Sequence, residues 1–398
     1  MTKLLIDLET SRIAITENNI LKELHIEPGS QALPSGQLSL QKTTSRVGEV
    51  LVGRVRTIMP GQFAFIDIGS GKNAFANLKD GHSLKSGQPL LVQVQKDATS
   101  QKGAYVSQDI NLKGHLLILY KHPAGETGVS HKITDEKESR RLKKLARGLL
   151  PAGYGAIVRT NAKNCTQEML QEEITNLHKK FEEILERANY ALPPAKLYPD
   201  AAIPLAPILT DILYDTLDEV CISGAGFDET KDFICTLAPF LRDKIFAHDS
   251  KLIKNSQIKK ALEKTVSLPC GGFITIEQTE ACVVVDVNTG NNTNNQSYRK
   301  TVLNTNLEAA KVIISQIILR NLSGTIIIDF IDMHNKDDEN ILMEALAKEA
   351  KRDRTNPEIF GISRLGVVQM ARPKRRLSLS QLVEVNCPHC GGSGRIYK

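Results

Sequence analysis

The sequence predicts an α/β multidomain protein, and three patterns carry that reading. Residues 36–108 hold short β-branched and aromatic runs separated by Gly, Pro, Asn and Ser, the pattern of a small all-β barrel or sandwich. Helical periodicity with capped starts follows near residues 134 and 166. A strand–helix–strand pattern then fills 272–333. At 398 residues the chain can hold several cores. Apolar residues make up 41% and charged residues 24%, which excludes disordered and fibrous classes. No apolar run reaches about 18 residues, so no membrane span is expected. The start, MTKLLIDLET, lacks a secretory pattern, and a cytoplasmic protein is expected.

In chain order, LLIDLETSRIAIT opens as a short alternating stretch. GEVLVGRVRTI, QFAFIDIG, KNAFANL and PLLVQVQKD read as strands of the all-β segment. Over 109–198, LLILY and YGAIVRT read as strands. Thr134-Asp135-Glu136 starts a helix with acids first and bases later, which suits the helix dipole. A second helix starts at Thr166, with Leu170, Ile174, Leu177, Phe181 and Ile184 as one apolar stripe. The Pro-rich segment 191–207 reads as a linker. Residues 208–262 read as mainly helical, with some strand in DEVCISG.

The stretch 272–333 carries the chemistry. ACVVVDVNTG reads as a buried strand. Alternation puts Asp286 and Asn288 on one face and Val285 and Val287 on the other. A helix over about 298–320 has Leu303, Leu307, Ala310, Ile314 and Ile317 at helical spacing. TIIIDFIDM is a second strand, carrying Asp329 and Asp332. A crossover of this kind makes the strands parallel, with both C-terminal ends at one sheet edge. Asp286 and Asp329 would then meet there, and a divalent cation would hold them together. Mg²⁺ suits two carboxylates plus phosphate oxygens. Asn288 could orient a water or bind phosphate. Acids at strand ends also serve as ordinary turn or capping residues, and two acids do not specify a reaction.

The formal net charge is +6. Residues 371–398 concentrate it in Arg372, Lys374, Arg375, Arg376, Arg395 and Lys398, against Glu384 alone. This reads equally as a polyanion-binding cluster or a solvated tail. Seven cysteines, five of them isolated, read as reduced thiols rather than a disulfide framework. Cys387-Pro-His-Cys390 is a CxxC knuckle with half of a tetrahedral zinc site. His389 between the cysteines is an awkward third ligand. Two chains sharing one Zn²⁺ would complete the set, which predicts a homodimer.

VDVNTG, NTNLEAAK, IIIDFIDM and CPHCGGSGR, in order across the chain, make it resemble the ribonuclease E/G family of bacterial endoribonucleases, the G-type branch more than the E-type. The resemblance implies an RNase H-like scaffold (1–35 plus 199–261) with an inserted OB-fold domain (36–108) and a 5′-sensor domain (109–198). A DNase I-like α/β subdomain (262–383) and a zinc-link (384–398) follow. It implies Mg²⁺-dependent cleavage of single-stranded RNA to leave 5′-phosphate ends, stimulated by a 5′-monophosphate. Asp286 and Asp329 match the family's metal-ligating aspartates and Asn288 its supporting asparagine. Cys387 and Cys390 match the shared-zinc pair. Phe65 and Phe75 match base-stacking positions, and Lys96 and Lys102 basic contacts. Phe63 shares a face with Phe65, and at least one of them could be core. Gly114, Ile118, Arg159 and Thr160 match the 5′-monophosphate pocket, where a guanidinium forks onto phosphate. Arg364 matches a residue near bound RNA, and the ARPKRR run could add backbone contacts.

The sequence ends eight residues after Cys390, so the small domain that pairs dimers into tetramers in longer relatives is expected to be absent. The membrane-binding and degradosome-scaffold regions are expected to be absent too. The rival expectations are an RNA-binding protein without catalysis, a nuclease acting on DNA, and a zinc dimer serving only as an assembly module.

Overall fold

A computed structural model describes residues 1–26, 46–60, 63–78, 84–98, 102–198, 205–212, 214–290, 298–333, 335–374, 376–385, 387 and 389–390. The chain forms two compact units. The first joins Met1–Leu38, Leu217–Ala225 and Lys244–Lys398; the second joins Ser39–Thr216 and Gly226–Asp243.

The first unit opens with β1 (Thr2–Asp7), β2 (Arg12–Glu17) and β3 (Ile20–Ile26), an antiparallel meander. Its β2–β3 turn is Asn18-Asn19, both at positive φ, the asparagine-tolerant geometry of a two-residue hairpin.

The second unit begins with β4 (Val50–Met59), β5 (Phe63–Asp67), β6 (Ala74–Asn77), β7 (Pro89–Lys96) and β8 (Tyr105–Ser107). β4 pairs with both β5 and β7, which closes a small barrel. Leu51, Ala64, Ile66, Ala76, Val92, Val94 and Val106 fill it. Gly53 is required by packing, because a Cβ there would stand 2.4 Å from the Ile66 side chain.

Next come β9 (Asn111–Lys113), β10 (Leu117–Lys121), β11 (Thr127–Val129), α1 (Glu136–Leu149), β12 (Tyr154–Val158) and α2 (Gln167–Tyr190). The strands form a sheet in the order β11-β12-β10-β9. Asp135 caps α1 by accepting from the Lys137 and Glu138 amides, and Thr166 caps α2 by accepting from Met169. The five-residue stripe of α2 is buried throughout.

β13 (Ala195–Tyr198) departs from the expected linker over 191–207. It pairs antiparallel with β4 and extends the barrel sheet. After the short α3 (Ala206–Leu209) the chain returns to the first unit with β14 (Glu219–Ser223), passes through α4 (Phe227–Leu237) in the second, and re-enters at β15 (Ile245–His248) and α5 (Asn255–Ala261). β14 lies parallel to β1 and to β15, giving the order β15-β14-β1-β2-β3. β14 is the strand read in DEVCISG, while β15 departs from the helical reading of 208–262.

The last segment holds β16 (Thr265–Ser267), β17 (Phe273–Gln278), β18 (Cys282–Asn288), α6 (Tyr298–Leu319), β19 (Gly324–Asp329), α7 (Lys336–Ala350), β20 (Glu358–Ile362), β21 (Val368–Arg372) and α8 (Leu379–Val383). Its sheet order is β16-β17-β18-β19-β21-β20, and β18 and β19 are the parallel pair. By length and composition α6 could cross a membrane. Here it is a core helix, with Ala309, Ala310 and Ile313 fully buried beside the polar Thr305 and Asn306. Its buried face differs from the predicted stripe: Val302 and Ile313 are buried, while Leu303 and Leu307 are only partly so.

Candidate functional site

Val283, Val285 and Val287 of β18 are buried, so Asp286 turns outward. In β19, Ile326 and Ile328 are buried and Asp329 is exposed. Asp286 and Asp329 are registered partners on these parallel strands. Neighbouring strands lie about 4.8 Å apart and registered partners share a face, so the two carboxylates stand side by side. Partial loss of solvent beside the sheet raises the Asp329 carboxyl above the usual range, and the charges of Asp286 and Asp332 raise it further. Two like charges about 5 Å apart repel by about 1 kcal/mol in water, and by more as water is excluded. A cation between them reverses the sign. Asn288 donates Nδ2–H to Asp286 Oδ2 at 2.7 Å and fixes that carboxylate.

Two loops meet this edge. β21 runs antiparallel to β19 with Val368 opposite Ile328, so the β20–β21 turn lies at the carboxylate end. It carries the exposed Arg364. A Cβ on Gly366 of that turn would stand 3.7 Å from Asp332 Oδ1. The segment after β19 is pinned by buried Asn306, which donates to the Ile331 carbonyl at 2.8 Å and accepts from its amide at 3.1 Å.

On the barrel, Ala64, Ile66, Ala74 and Ala76 point inward, while Phe63, Phe65 and Phe75 lie on the outer face. The Phe75 ring centroid lies 5.3 Å from Phe63, 6.0 Å from Phe65 and 6.2 Å from Tyr105. Neither Phe65 nor Phe75 belongs to the core cluster. Lys96 is exposed and registered opposite Tyr105. Lys102 is exposed in the connection from β7 to β8.

Gly114, Ile118, Arg159 and Thr160 gather where the β9–β10 turn meets the end of β12. Ile118 is opposite Ile157. The Arg159 amide donates to the Leu116 carbonyl at 2.7 Å. Arg159 Nη1 donates to the carbonyls of Gly114 at 2.5 Å and Thr210 at 3.1 Å. Its Nη2 donates to Asp211 Oδ1 at 2.7 Å, and Lys113 Nζ reaches Asp211 Oδ2 at 2.5 Å. The Thr160 and Ser130 hydroxyls are 3.2 Å apart.

Cys387 is exposed and Cys390 partly exposed; the glycine turn after Cys390 lies outside the described residues. Arg372 does not join a basic cluster. It is buried in β21, with Nε donating to Asp353 Oδ2 at 2.5 Å. The local excess of positive charge is smaller than the sequence suggests.

A family model described as "Ribonuclease E/G family" matches residues 111–375. Ribonuclease G of Haemophilus influenzae is 33% identical, over 97% of this chain and 82% of its own length. Ribonuclease G of Escherichia coli K12 is 31% identical over the same shares. Ribonuclease E of Nostoc is 32% identical over 88% of this chain and 54% of its own length.

The chain belongs to the ribonuclease E/G family.

It is an endoribonuclease of that type. Against a ribonuclease E/G background, several neighbours of the candidate residues stand out that the sequence reading missed. Glu173 in α2 accepts from the amides of His115, Leu116 and Leu117 at 3.1, 2.8 and 2.9 Å. Burial holds its carboxyl above the usual range although those three bonds favour its charge. A Cβ on Gly114 would stand 2.3 Å from Glu173 Oε1, so packing alone demands glycine there. Asp211 and Lys113 complete the charge set around Arg159. Tyr105 extends the aromatic face on which Phe63, read from the sequence as sharing a face with Phe65, also lies. Only the aromatic alternation had a local signal; Glu173, Asp211 and Asn306 are polar residues whose partners lie far away in the chain.

Proposed function

We propose that the chain cuts single-stranded RNA internally by hydrolysis, leaves a 5′-phosphate on the downstream fragment, and favours substrates with a 5′-monophosphate. The observation that carries this reading is the registered pair Asp286 and Asp329 on one sheet edge. Among the described residues neither forms an ion pair with Lys or Arg, and the Asp329 carboxyl is raised by partial desolvation and then by its acidic neighbours. Such an all-oxygen pair fits Mg²⁺, which prefers one or two carboxylates plus phosphate oxygens. When bound, Mg²⁺ would activate a water and offset charge on the phosphodiester.

The protein's own groups do the rest. Asp286 and Asp329 bind the ion, and Asn288 holds Asp286 in its ligating orientation. Arg364, on the adjoining turn, offers a guanidinium to a substrate phosphate. The Phe65–Phe75 face stacks bases, and Lys96 and Lys102 track the backbone. Arg159 and Thr160 take the 5′-phosphate beside Gly114 and Ile118. Cys387 and Cys390 supply two thiolates to a Zn²⁺ completed by a second copy.

The same reading interprets the closed barrel as the OB-fold domain and the β11-β12-β10-β9 sheet as the sensor. The six-stranded sheet is interpreted as the DNase I-like subdomain, and the β15-β14-β1-β2-β3 sheet as the RNase H-like scaffold.

The test is cleavage of a 5′-monophosphorylated single-stranded RNA with Mg²⁺, beside matched DNA and duplex. Asp286→Asn and Asp329→Asn are each expected to lower the rate by at least about a hundredfold, while RNA binding persists. Unchanged cleavage in either variant would overturn the assignment of the pair.

A further inference from the structure

A second cluster of ligating side chains lies on the β15-β14-β1-β2-β3 sheet. Glu219 and Cys221 are two residues apart on β14 and share a face. His248 closes the neighbouring parallel strand β15, opposite Ser223, and so lies on that same face. One ligand atom from each of Glu219, Cys221 and His248 falls within 4.8 Å of the others.

Glu219 uses its two oxygens for different tasks. Oε2 accepts from Lys3 Nζ at 2.9 Å, across the β1–β14 register. Oε1 accepts a hydrogen bond from the Cys221 thiol, with Sγ at 3.0 Å. Lys3 therefore orients the carboxylate from the outer side, as partners of metal-ligating groups do. Cys221 is buried, an unusual place for a thiol to meet a carboxylate. His248 is exposed at the open edge strand, which leaves an entry path.

We propose that Glu219, Cys221 and His248 bind one zinc-class divalent cation per chain, with the fourth position left to water. A carboxylate, a thiolate and an imidazole form the borderline N/S/O set that favours zinc in tetrahedral geometry. On binding, the Cys221 S–H bond breaks and its proton leaves to solvent. Sulfur, Glu219 Oε1 and one imidazole nitrogen each donate a lone pair, and no electron is transferred. Lys3 stays on Oε2 and balances the carboxylate charge. The ion would tie the end of β15 to β14 through their side chains. This site is separate from the Cys387–Cys390 pair and stands whether or not that pair binds zinc.

The test uses the full chain with Cys387→Ser and Cys390→Ser, so that the other thiol pair contributes nothing. Bound Zn²⁺ is counted after dialysis, and Co²⁺ is titrated to read the near-ultraviolet thiolate band. One Zn²⁺ per chain and a thiolate band are expected. His248→Gln should weaken binding by at least tenfold, Cys221→Ala should abolish the band, and Lys3→Met should weaken binding about tenfold. No retained zinc in the parent chain, or zinc retention in the His248→Gln and Cys221→Ala variants equal to that of the parent, overturns the site. His248 is exposed, so its substitution leaves folding intact. Should the serine background fail to fold, the wild-type chain is compared with His248→Gln alone, and a loss of one Zn²⁺ per chain is the expected reading. An unchanged count overturns the proposal there as well.

Discussion

Arg159 donates to three acceptors, and they differ in kind. The carbonyls of Gly114 and Thr210 hold Nη1 and set the plane of the guanidinium. The Asp211 carboxylate takes Nη2 and, through its other oxygen, Lys113. On the proposed sensor reading, a terminal phosphate approaching this arginine would meet an internal anion on the donor best able to exchange. Asp211→Asn is therefore expected to tighten binding of a 5′-monophosphorylated oligonucleotide roughly fivefold, the order of 1 kcal/mol for a partly exposed pair. Arg159→Ala is expected to erase the preference for 5′-monophosphate over 5′-hydroxyl RNA. Fluorescence anisotropy with both oligonucleotides reads both variants, and weaker binding in Asp211→Asn would mean that Asp211 positions Arg159 rather than competes for it. The sequence disclosed Asp286 and Asn288 because strand alternation is local. It concealed Glu173, Asp211 and Asn306 because a polar residue's burial depends on a distant partner: Asn306 reads as an ordinary helix residue until Ile331 is seen to use both its donor and its acceptor.

Elements whose signals are local emerged from the sequence with their bounds nearly intact. Asp135 and Thr166 mark the starts of α1 and α2, and the stripe of α2 is the buried stripe. Elements defined by a partner did not. β13 is four residues long, follows two prolines and becomes a strand only by pairing with β4. The predicted stripe of α6 shifted because that helix buries polar Thr305 and Asn306 along with Val302 and Ile313. The same dependence on partners governs how β21 is held. Its last residue, Arg372, donates to Asp353 and also to Asn321 Oδ1 and the Leu322 carbonyl. Burial alone pushes the Asp353 carboxyl up, but Arg372 and the Thr355 donors outweigh it and hold it below the usual range. A depressed carboxyl stabilises the fold fully above the unfolded value of about 4, and that contribution is lost as pH falls through the folded value. Asp353→Asn leaves a buried arginine without its counter-charge and should cost about 3–5 kcal/mol at pH 7. Urea unfolding across pH is the check: the gap between wild type and variant should narrow below about pH 4, and a constant gap down to pH 3 would contradict the pair's role.

For the whole molecule, the first unit is discontinuous, which the family resemblance implies (1–35 plus 199–261) but the residues themselves do not. β1 pairs with β14, residue 3 opposite residue 219, and no local pattern announces such a match. The proposed assembly between copies is a case of the same kind, since only an incomplete ligand set points to it. Cys387 and Cys390 provide two thiolates where zinc wants four ligands. Among the described residues the one convergent set of three such donors is Glu219, Cys221 and His248, which does not include this pair. On the proposed shared site, a second copy would supply two more cysteines of the same geometry by symmetry. That proposal couples zinc binding to association, so chain concentration and zinc occupancy would move together. Cys387→Ser is expected to shift the sedimentation profile from dimer to monomer at micromolar chain and to lower bound zinc by half an ion per chain, leaving the ion held by His248 in place. An unchanged profile would separate zinc from dimerisation. A monomer that keeps all of its zinc would mean that the Cys387–Cys390 pair holds none.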